Sequence, residues 1–114
     1  MSKNSIRVRF APAPTGMMHL GNVRTALMNF LFAKYKGGTF VLRIEDTDPE
    51  RNYDPKAEGI ISDLQWLGIT HDEGPNIGGP HKPYFQSQRT KKYSDHLNKL
   101  IEQKAVYQCF CTEQ

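Results

Sequence analysis

The stretch from Arg9 to Arg24 constrains the fold most, because an apolar segment gives way there to a Pro/Gly loop and then to a helical pattern. Pro12, Pro14 and Gly16 exclude a continued strand or helix, since proline lacks an amide donor and glycine tolerates positive φ. The sequence therefore predicts a strand over residues 6–11, a loop and then a helix. The apolar residues that recur on one face of that helix are Val23, Ala26, Leu27, Phe30 and Leu31.

The start of the predicted helix, near Gly21 or Asn22, suits a phosphate group. A helix N-terminus presents free backbone amides and a partial positive charge. Gly21 would let a nucleotide approach the backbone, and His19 could donate a hydrogen bond to developing phosphate charge. A histidine that caps the helix and a glycine that eases a turn explain the same residues, and an isolated H-x-G does not decide between them.

Four separated segments carry a wider pattern: R-F-A-P-A-P-T-G-M-M-H-L-G-N-V-R-T-A-L, L-R-I-E-D-T-D-P-E-R, W-L-G-I-T-H-D-E-G-P and Y-F-Q-S-Q-R. In this order they resemble the N-terminal catalytic region of bacterial-type glutamyl-tRNA synthetases, over residues 6–112. The resemblance implies an α/β fold, the Rossmann-like parallel sheet of class I aminoacyl-tRNA synthetases, with only its N-terminal half present. We expect residues 1–107 to form that half and residues 108–114 to begin the inserted acceptor-binding region.

The resemblance also implies the activity of a glutamate-tRNA ligase. Its substrates would be ATP with Mg2+, L-glutamate and tRNA(Glu), and glutamyl-adenylate would form before transfer to the 3′ end of the tRNA. The lysine-bearing K-M-S-K-S-type signature of the family has no match here, so we expect a piece of a longer enzyme that is not competent alone. Two alternatives are a glutamyl-Q tRNA(Asp) synthetase-like enzyme and a non-catalytic nucleotide-binding module.

The resemblance assigns the catalytic and nucleotide-binding residues to the Pro/Gly loop and the helix start. His19 and Gly21 stand in the position of the class I signature H-I-G-H, with Leu20 and Asn22 in place of isoleucine and the last histidine. Those two residues are the predicted catalytic residues. The predicted ATP-binding residues are Ala11, Pro12, Thr15, Gly16, His19, Gly21 and Asn22.

Arg9 and Glu45 are the predicted glutamate-binding residues. By resemblance Arg9 holds the side-chain carboxylate of glutamate, and Glu45 is the best candidate to hold the substrate ammonium. Arg9 interrupts an apolar strand, so it should meet a carboxylate, either of the protein in an internal salt bridge or of the substrate. Glu45 follows the predicted strand 39–44 at its carboxyl end, where ligands of α/β sheets collect. The two residues could also neutralise each other. By resemblance Ala13 belongs to this site, where it replaces a serine whose hydrogen bond is worth about 1 kcal/mol.

Asp48 and Arg51 are the predicted tRNA-binding residues, by resemblance alone. From the sequence, Arg51 is an exposed arginine. Asp48 precedes Pro49 and is also typical of a helix N-cap.

Cys109 and Cys111 are the two cysteines of the chain, and their spacing suits a metal or a strand better than a structural disulfide. As half of a zinc site they would need further ligands, because a closed site takes four. The resemblance implies Zn2+ in the full-length protein. The alternative is that these residues belong to a terminal strand over Val106–Phe110.

The remaining pattern predicts two further helices and one long excursion. The apolar residues of the second helix are Ala57, Ile60, Ile61, Leu64 and Leu67, and Trp66 is expected to pack at its end. The third helix would begin at Ser87 as its cap, with Tyr93, Leu97, Leu100 and Ile101 buried. Residues 71–88 are expected to form an ordered excursion beside the substrate cleft.

Composition sets the broad class. The 114 residues include 15 Lys+Arg and 12 Asp+Glu, a net charge of +3 that favours an anionic partner only weakly. The sequence has no apolar run of the length of a signal peptide or a membrane span. We therefore expect one cytoplasmic domain that is a monomer and has no membrane partner.

Overall fold

A computed structural model describes residues 6–112 of the chain. Its regular elements alternate between strand and helix in the first half and are helical afterwards. In chain order they are β1 (Arg7–Phe10), α1 (Leu20–Lys36), β2 (Thr39–Leu42), a 3-10 turn (Pro49–Arg51), α2 (Glu58–Trp66), a second 3-10 turn (Gln86–Arg89) and α3 (Thr90–Glu102).

The two strands are parallel, and α1 connects them, as the α/β prediction requires. Arg9 pairs with Val41 in the register of the sheet. Segment 71–88 extends this arrangement along β2: the amide of Leu42 donates to the carbonyl of Glu73 at 2.8 Å, and that of Ile44 to Tyr84 at 2.8 Å. The predicted excursion is therefore ordered and lies against the sheet.

The core lies between the sheet, α1 and α2. Its fully buried members are small on α1 and large on the strands, which lets the helix approach the sheet closely. The edge of Phe30 packs against Phe40, with ring centroids 6.0 Å apart. The buried cluster is Phe10, Ala26, Ala33, Phe40, Leu42, Ile44, Ala57, Ile60, Leu64 and Ile69.

Several predicted apolar stripes are less buried than their spacing indicates. Leu27 is 39% exposed and Leu31 is 51% exposed, because α1 contacts the strands through the Ala26–Ala33 side of the helix. Trp66 is 86% exposed and does not pack at the end of α2, so that prediction was wrong.

The predicted burial of α3 was also wrong. Its apolar side chains share one face, as the helical spacing requires, but that face is exposed; its members are Tyr93, Leu97, Leu100 and Ile101. Periodicity predicts which residues share a face, whereas burial also needs an element that packs on it. None of the helices in residues 6–112 combines the length and the apolar character needed to cross a membrane.

Gly38 occupies the tightest backbone contact between α1 and the sheet. Gly37 ends α1 in a left-handed conformation with φ of 59°, and Gly38 then donates its amide to the Ala33 carbonyl at 2.8 Å. A Cβ at Gly38 would lie 2.5 Å from the carbonyl oxygen of Ile6, which itself accepts the Thr39 amide at 2.8 Å. No flexible side chain can move aside to make room.

We predict that Gly38→Ala lowers the free energy of unfolding by about 2 kcal/mol, because the methyl group must displace backbone that pairs β1 with β2. Gly59→Ala is the matched control, since a Cβ there meets only the side chain of Asp54 at 3.3 Å inside α2. Denaturant unfolding measures both. Equal stability of Gly38→Ala and the wild type would contradict the close contact.

Candidate active site

Backbone hydrogen bonds fix the Pro/Gly loop against the segment that follows β2. The carbonyl of Pro12 accepts the amide of Glu45 at 2.9 Å, and the carbonyl of Pro14 accepts that of Tyr53 at 3.0 Å. Both prolines are buried. The loop therefore has a defined path from the end of β1 to the start of α1.

His19 caps α1 through a reciprocal pair of hydrogen bonds. Its Nδ1 accepts the amide of Gly21 at 3.1 Å, and its own amide donates to Oδ1 of Asn22 at 3.2 Å. A Cβ at Gly21 would lie 2.9 Å from the His19 ring. Because Nδ1 accepts, the neutral ring carries its proton on Nε2 and can donate it outward from this exposed position. The capping interpretation is therefore present in the structure, and it leaves the donor role of His19 intact.

A cavity of about 260 Å3 lies inside the loop at the start of α1. It brings together most of the predicted ATP-binding residues, and Ala11 and Gly21 stand beside it in the chain. Ala13, predicted to contact glutamate, also lines this cavity. The full lining is Pro12, Ala13, Thr15, Gly16, Met17, Met18, His19 and Asn22.

A second cavity, of about 200 Å3, lies over the sheet at Arg9 and is strongly cationic. Its lining contains four arginines and a histidine and no acidic residue; the members are Arg7, Val8, Arg9, Val41, Arg43, His81, Tyr84 and Arg89. Sequence reasoning had found only Arg9. Alternation along the strands could have added Arg7 and Arg43, because residues two apart share a face and Arg9 pairs with Val41.

The first of these arginines is held by a buried carboxylate. The Nη atoms of Arg7 donate to both oxygens of Glu73, at 2.5 and 2.9 Å. The hydroxyl of Tyr84 donates to Glu73 at 2.5 Å, and both Glu73 and Tyr84 are buried. The hydrogen bonds from Arg7 outweigh burial and, with that from Tyr84, lower the pKa of Glu73 from 4.5 to about 2. This network links β1 to segment 71–88.

Two further arginines are also engaged. Arg43 donates from Nε and Nη2 to one oxygen of Glu45, at 3.0 and 2.8 Å. Arg89 donates to the carbonyl of Pro83 at 2.9 Å. Each of these contacts directs a cation that lines the cavity toward a protein oxygen.

Arg9 differs from its neighbours. Within residues 6–112, no carboxylate lies at ion-pair distance from it. Its side chain is exposed, and the internal salt bridge that the sequence left open is not found among these residues. Arg9 and Glu45 do not neutralise each other, because Glu45 binds Arg43. The substrate acid remains as the predicted partner.

The acidic residues after Glu45 have structural contacts. Asp46 is buried and accepts the amide and hydroxyl of Ser87, at 2.9 and 2.5 Å. Ser87 was predicted to cap α3, and this prediction was wrong, because Ser87 donates to Asp46 instead. Asp48 caps the first 3-10 turn, as predicted, and accepts Nε of Arg51 at 2.6 Å. The hydrogen bond from Arg51 lowers the pKa of Asp48.

Cys109 and Cys111 are exposed free thiols. Residues 105–112 form no regular element, so the alternative of a strand over Val106–Phe110 was wrong. Hydrogen bonds with Cys111 lower the pKa of Cys109 and so favour its thiolate. Among the described residues no group of three or more His, Cys, Asp or Glu side chains could hold a metal ion.

We predict that Glu73→Gln lowers stability at neutral pH by roughly 3 kcal/mol, because the pKa of Glu73 lies below its unfolded value in the folded state. The wild type keeps this contribution above pH 4.5 and loses it as the pH falls toward 2. The free energy of unfolding between pH 5 and 2 should therefore fall more steeply for the wild type.

The exposed carboxylate of Glu102 provides the control for that experiment, because Glu102→Gln removes a negative charge outside the network. Its pH profile should match that of the wild type. Parallel profiles for Glu73→Gln and the wild type would show that Glu73 does not titrate as described.

The sequence profile of the family described as "tRNA synthetases class I (E and Q), catalytic domain" matches residues 5–114. Glutamate--tRNA ligase 2 of Caldicellulosiruptor saccharolyticus is 56% identical over 109 residues, 96% of this chain and 23% of the relative. Glutamate--tRNA ligase of Anaeromyxobacter sp. (strain Fw109-5) is 56% identical over 107 residues, 94% of this chain and again 23% of the relative. The chain thus spans about a quarter of the length of these relatives.

The fold agrees with solved structures. A glutamate tRNA ligase from Elizabethkingia meningosepticum, crystallised in complex with its amino acid, superposes with a TM-score of 0.82 at 50% identity. The match covers 87% of this chain and 20% of that one. A glutamate-tRNA synthetase from Elizabethkingia anophelis gives the same TM-score at 51% identity.

Proposed function

Because the chain belongs to the catalytic-domain family of class I tRNA synthetases for glutamate and glutamine, we propose that it forms part of a glutamate-tRNA ligase. The ligase activates L-glutamate with ATP and transfers it to tRNA(Glu). The observation that carries this proposal is the exposed guanidinium of Arg9, in a cationic cavity whose other arginines already have protein partners. Similarity to relatives named as glutamate-tRNA ligases supports the choice of substrate.

In this proposal Arg9 binds the side-chain carboxylate of glutamate. A guanidinium presents paired donors that match the two oxygens of a carboxylate. Glu45 holds the substrate ammonium at the end of β2, as its charge and position suit. Ala13 lines the neighbouring loop cavity and offers no hydroxyl, so it contributes shape and no side-chain hydrogen bond.

The loop cavity takes the ATP phosphates. The α1 N-terminus and the Nε2 proton of His19 supply donors there, and catalysis consists of positioning and charge stabilisation while the glutamate carboxylate attacks the α-phosphate. Mg2+ would come with the ATP phosphates, since this ion often keeps few protein ligands. Gly21 gives the backbone a surface that a nucleotide can approach.

The remaining parts of the proposal concern residues near the tRNA and the end of the described chain. Asp48 and Arg51 form an exposed pair that lies after β2 and could meet the acceptor end. Cys109 and Cys111 would supply two thiolates of a zinc site in the region 108–114, with the other ligands from elsewhere. Exposed free thiols suit the reducing cytoplasm, which we propose as the compartment.

We predict that Arg9→Lys weakens the binding of L-glutamate about tenfold, because an ammonium cannot reproduce the paired donors of the guanidinium. An NMR titration of this chain measures the affinity. Arg24→Lys is the control, since Arg24 is exposed on α1, and it should bind as the wild type does. An unchanged affinity of Arg9→Lys would remove Arg9 from the glutamate site.

We predict one zinc ion per chain in a protein of the relatives' length that carries these residues, and its loss in Cys111→Ser. Atomic absorption measures the metal content. Thr112→Ser, next to the thiols, should keep the zinc. A metal-free wild-type protein prepared without chelators would contradict the half-site.

A further inference from the structure

The two ion pairs beside the cationic cavity differ in how tightly they are held. Glu73 accepts hydrogen bonds from Arg7 on both carboxylate oxygens and a third from the hydroxyl of Tyr84. Its side chain is 7% exposed. A pair held in this way cannot exchange its partner without leaving a charge buried. The Arg7–Glu73 pair is therefore a fixed part of the cavity wall.

The Arg43–Glu45 pair has the opposite character. Both hydrogen bonds of Arg43 fall on one oxygen, Oε1, and the side chains of Arg43 and Glu45 are 20% and 28% exposed. No hydrogen bond among the described residues reaches the other carboxylate oxygen of Glu45. Glu45 can thus accept a second cation from the solvent side, and Arg43 can leave it toward the cavity that it already lines.

We propose that Arg43 makes the amino-acid site specific by exchanging partners when substrate binds, an inference that rests on the proposed roles of Arg9 and Glu45. In the free protein the guanidinium of Arg43 forms an ion pair with the carboxylate of Glu45. The substrate ammonium takes over Glu45, and the released guanidinium of Arg43 joins Arg9 on the side-chain carboxylate of the substrate. One ion pair becomes two, and Arg43 and Glu45 each have an opposite partner before and after binding, while Arg9 gains one.

The exchange couples the two ends of the ligand. A ligand with a carboxylate but no ammonium does not release Arg43, so it is bound by Arg9 alone. A ligand with an ammonium but no side-chain carboxylate displaces Arg43 and leaves that guanidinium without an acidic partner in the cavity, which is unfavourable. Only a zwitterion with an acidic side chain satisfies Arg9, Arg43 and Glu45 together. Such coupling is a free energy between the cationic cavity, which Arg9 and Arg43 line, and Glu45, which bonds to Arg43 beside it.

The test compares three ligands on the 114-residue chain: L-glutamate, glutarate, which lacks the ammonium, and L-2-aminobutyrate, which lacks the side-chain carboxylate. Arg43→Gln removes the cation that competes for Glu45. We expect L-2-aminobutyrate to bind at least about fivefold more tightly to this variant, and glutarate to change by less than about twofold. NMR titrations measure all three affinities.

Two variants control for charge and for folding. Arg43→Lys keeps a cation beside Glu45, so its affinity for L-2-aminobutyrate should stay near that of the wild type. Arg24→Gln removes an arginine from the exposed side of α1 and should change none of the affinities. Dispersed amide spectra of every variant show that it is folded before its affinity is compared.

The side-chain signal of Arg43 gives a direct readout of the exchange. In the free protein its Nε–H is hydrogen-bonded to Glu45, so its NMR signal should be protected from solvent exchange. L-glutamate should shift this signal, whereas glutarate should leave it in place. A signal that stays unchanged at saturating L-glutamate would overturn the exchange.

Other outcomes also overturn it. Weaker binding of L-2-aminobutyrate to Arg43→Gln would show that Arg43 only orients Glu45. Weaker glutarate binding with unchanged L-2-aminobutyrate binding would show that Arg43 contacts the carboxylate without exchange. Failure of the proposed function gives different results. Either Arg9→Lys binds L-glutamate as tightly as the wild type, or the folded wild type does not bind L-glutamate.

Discussion

The ion pair between Arg7 and the buried carboxylate of Glu73 is the interaction on which the site depends. It reaches from β1 over β2 to segment 71–88, whose backbone also pairs with β2. Within residues 6–112 the sheet has two regular strands, and the Arg7–Glu73 contact adds to the backbone hydrogen bonds that hold segment 71–88 in place. The hydroxyl of Tyr84 donates a further hydrogen bond to the carboxylate of Glu73, and Tyr84 also forms part of the cavity wall. Three hydrogen bonds to the buried carboxylate of Glu73 therefore hold Arg7 and Tyr84 in the wall of the cationic cavity.

Fixing Arg7 in this way decides which charges remain available. The cavity has four arginines in its lining, and like charges so close together would repel each other in the absence of anions. Glu73 cancels Arg7, and Glu45 cancels Arg43 in the free protein. Arg89 donates to the carbonyl of Pro83, so Arg9 is the cavity arginine with neither a carboxylate nor a carbonyl partner in residues 6–112. The acids around the cavity thus neutralise two of its four arginines.

The sequence predicted well those features that depend on neighbours in the chain. The strand, the Pro/Gly loop, the helix after it and the cap at Asp48 follow from local rules, and the structure has them. The family resemblance, and the fold it implies, agree with the comparisons. Arg9 lines a cavity of about 200 Å3, as does Arg43, which the sequence analysis missed although it is two residues from Glu45 and bonds to it.

The features that the sequence did not predict depend on contacts between distant segments. Glu73 lies 66 positions from Arg7, and nothing in either local pattern joins them until segment 71–88 is placed beside β2. The buried stripe expected on α3 fails for the same reason, since its spacing is right but no described element covers the face that carries Leu97. The local pattern around Ser87 fits a helix cap, but its amide and hydroxyl donate to Asp46, a buried acid 41 positions away.

His19 shows how one residue can serve structure and chemistry together. Its Nδ1 caps α1, which fixes the plane of the ring and determines that the proton of the neutral form resides on Nε2. A histidine without this contact could present either nitrogen, and its ring could rotate. The capping bond therefore pre-orients a donor at the edge of the loop cavity, and Gly21, which has no room for a Cβ beside the ring, is the residue that permits the bond. The capping bond is observed, and the proposed phosphate contact uses the ring nitrogen that this bond leaves available.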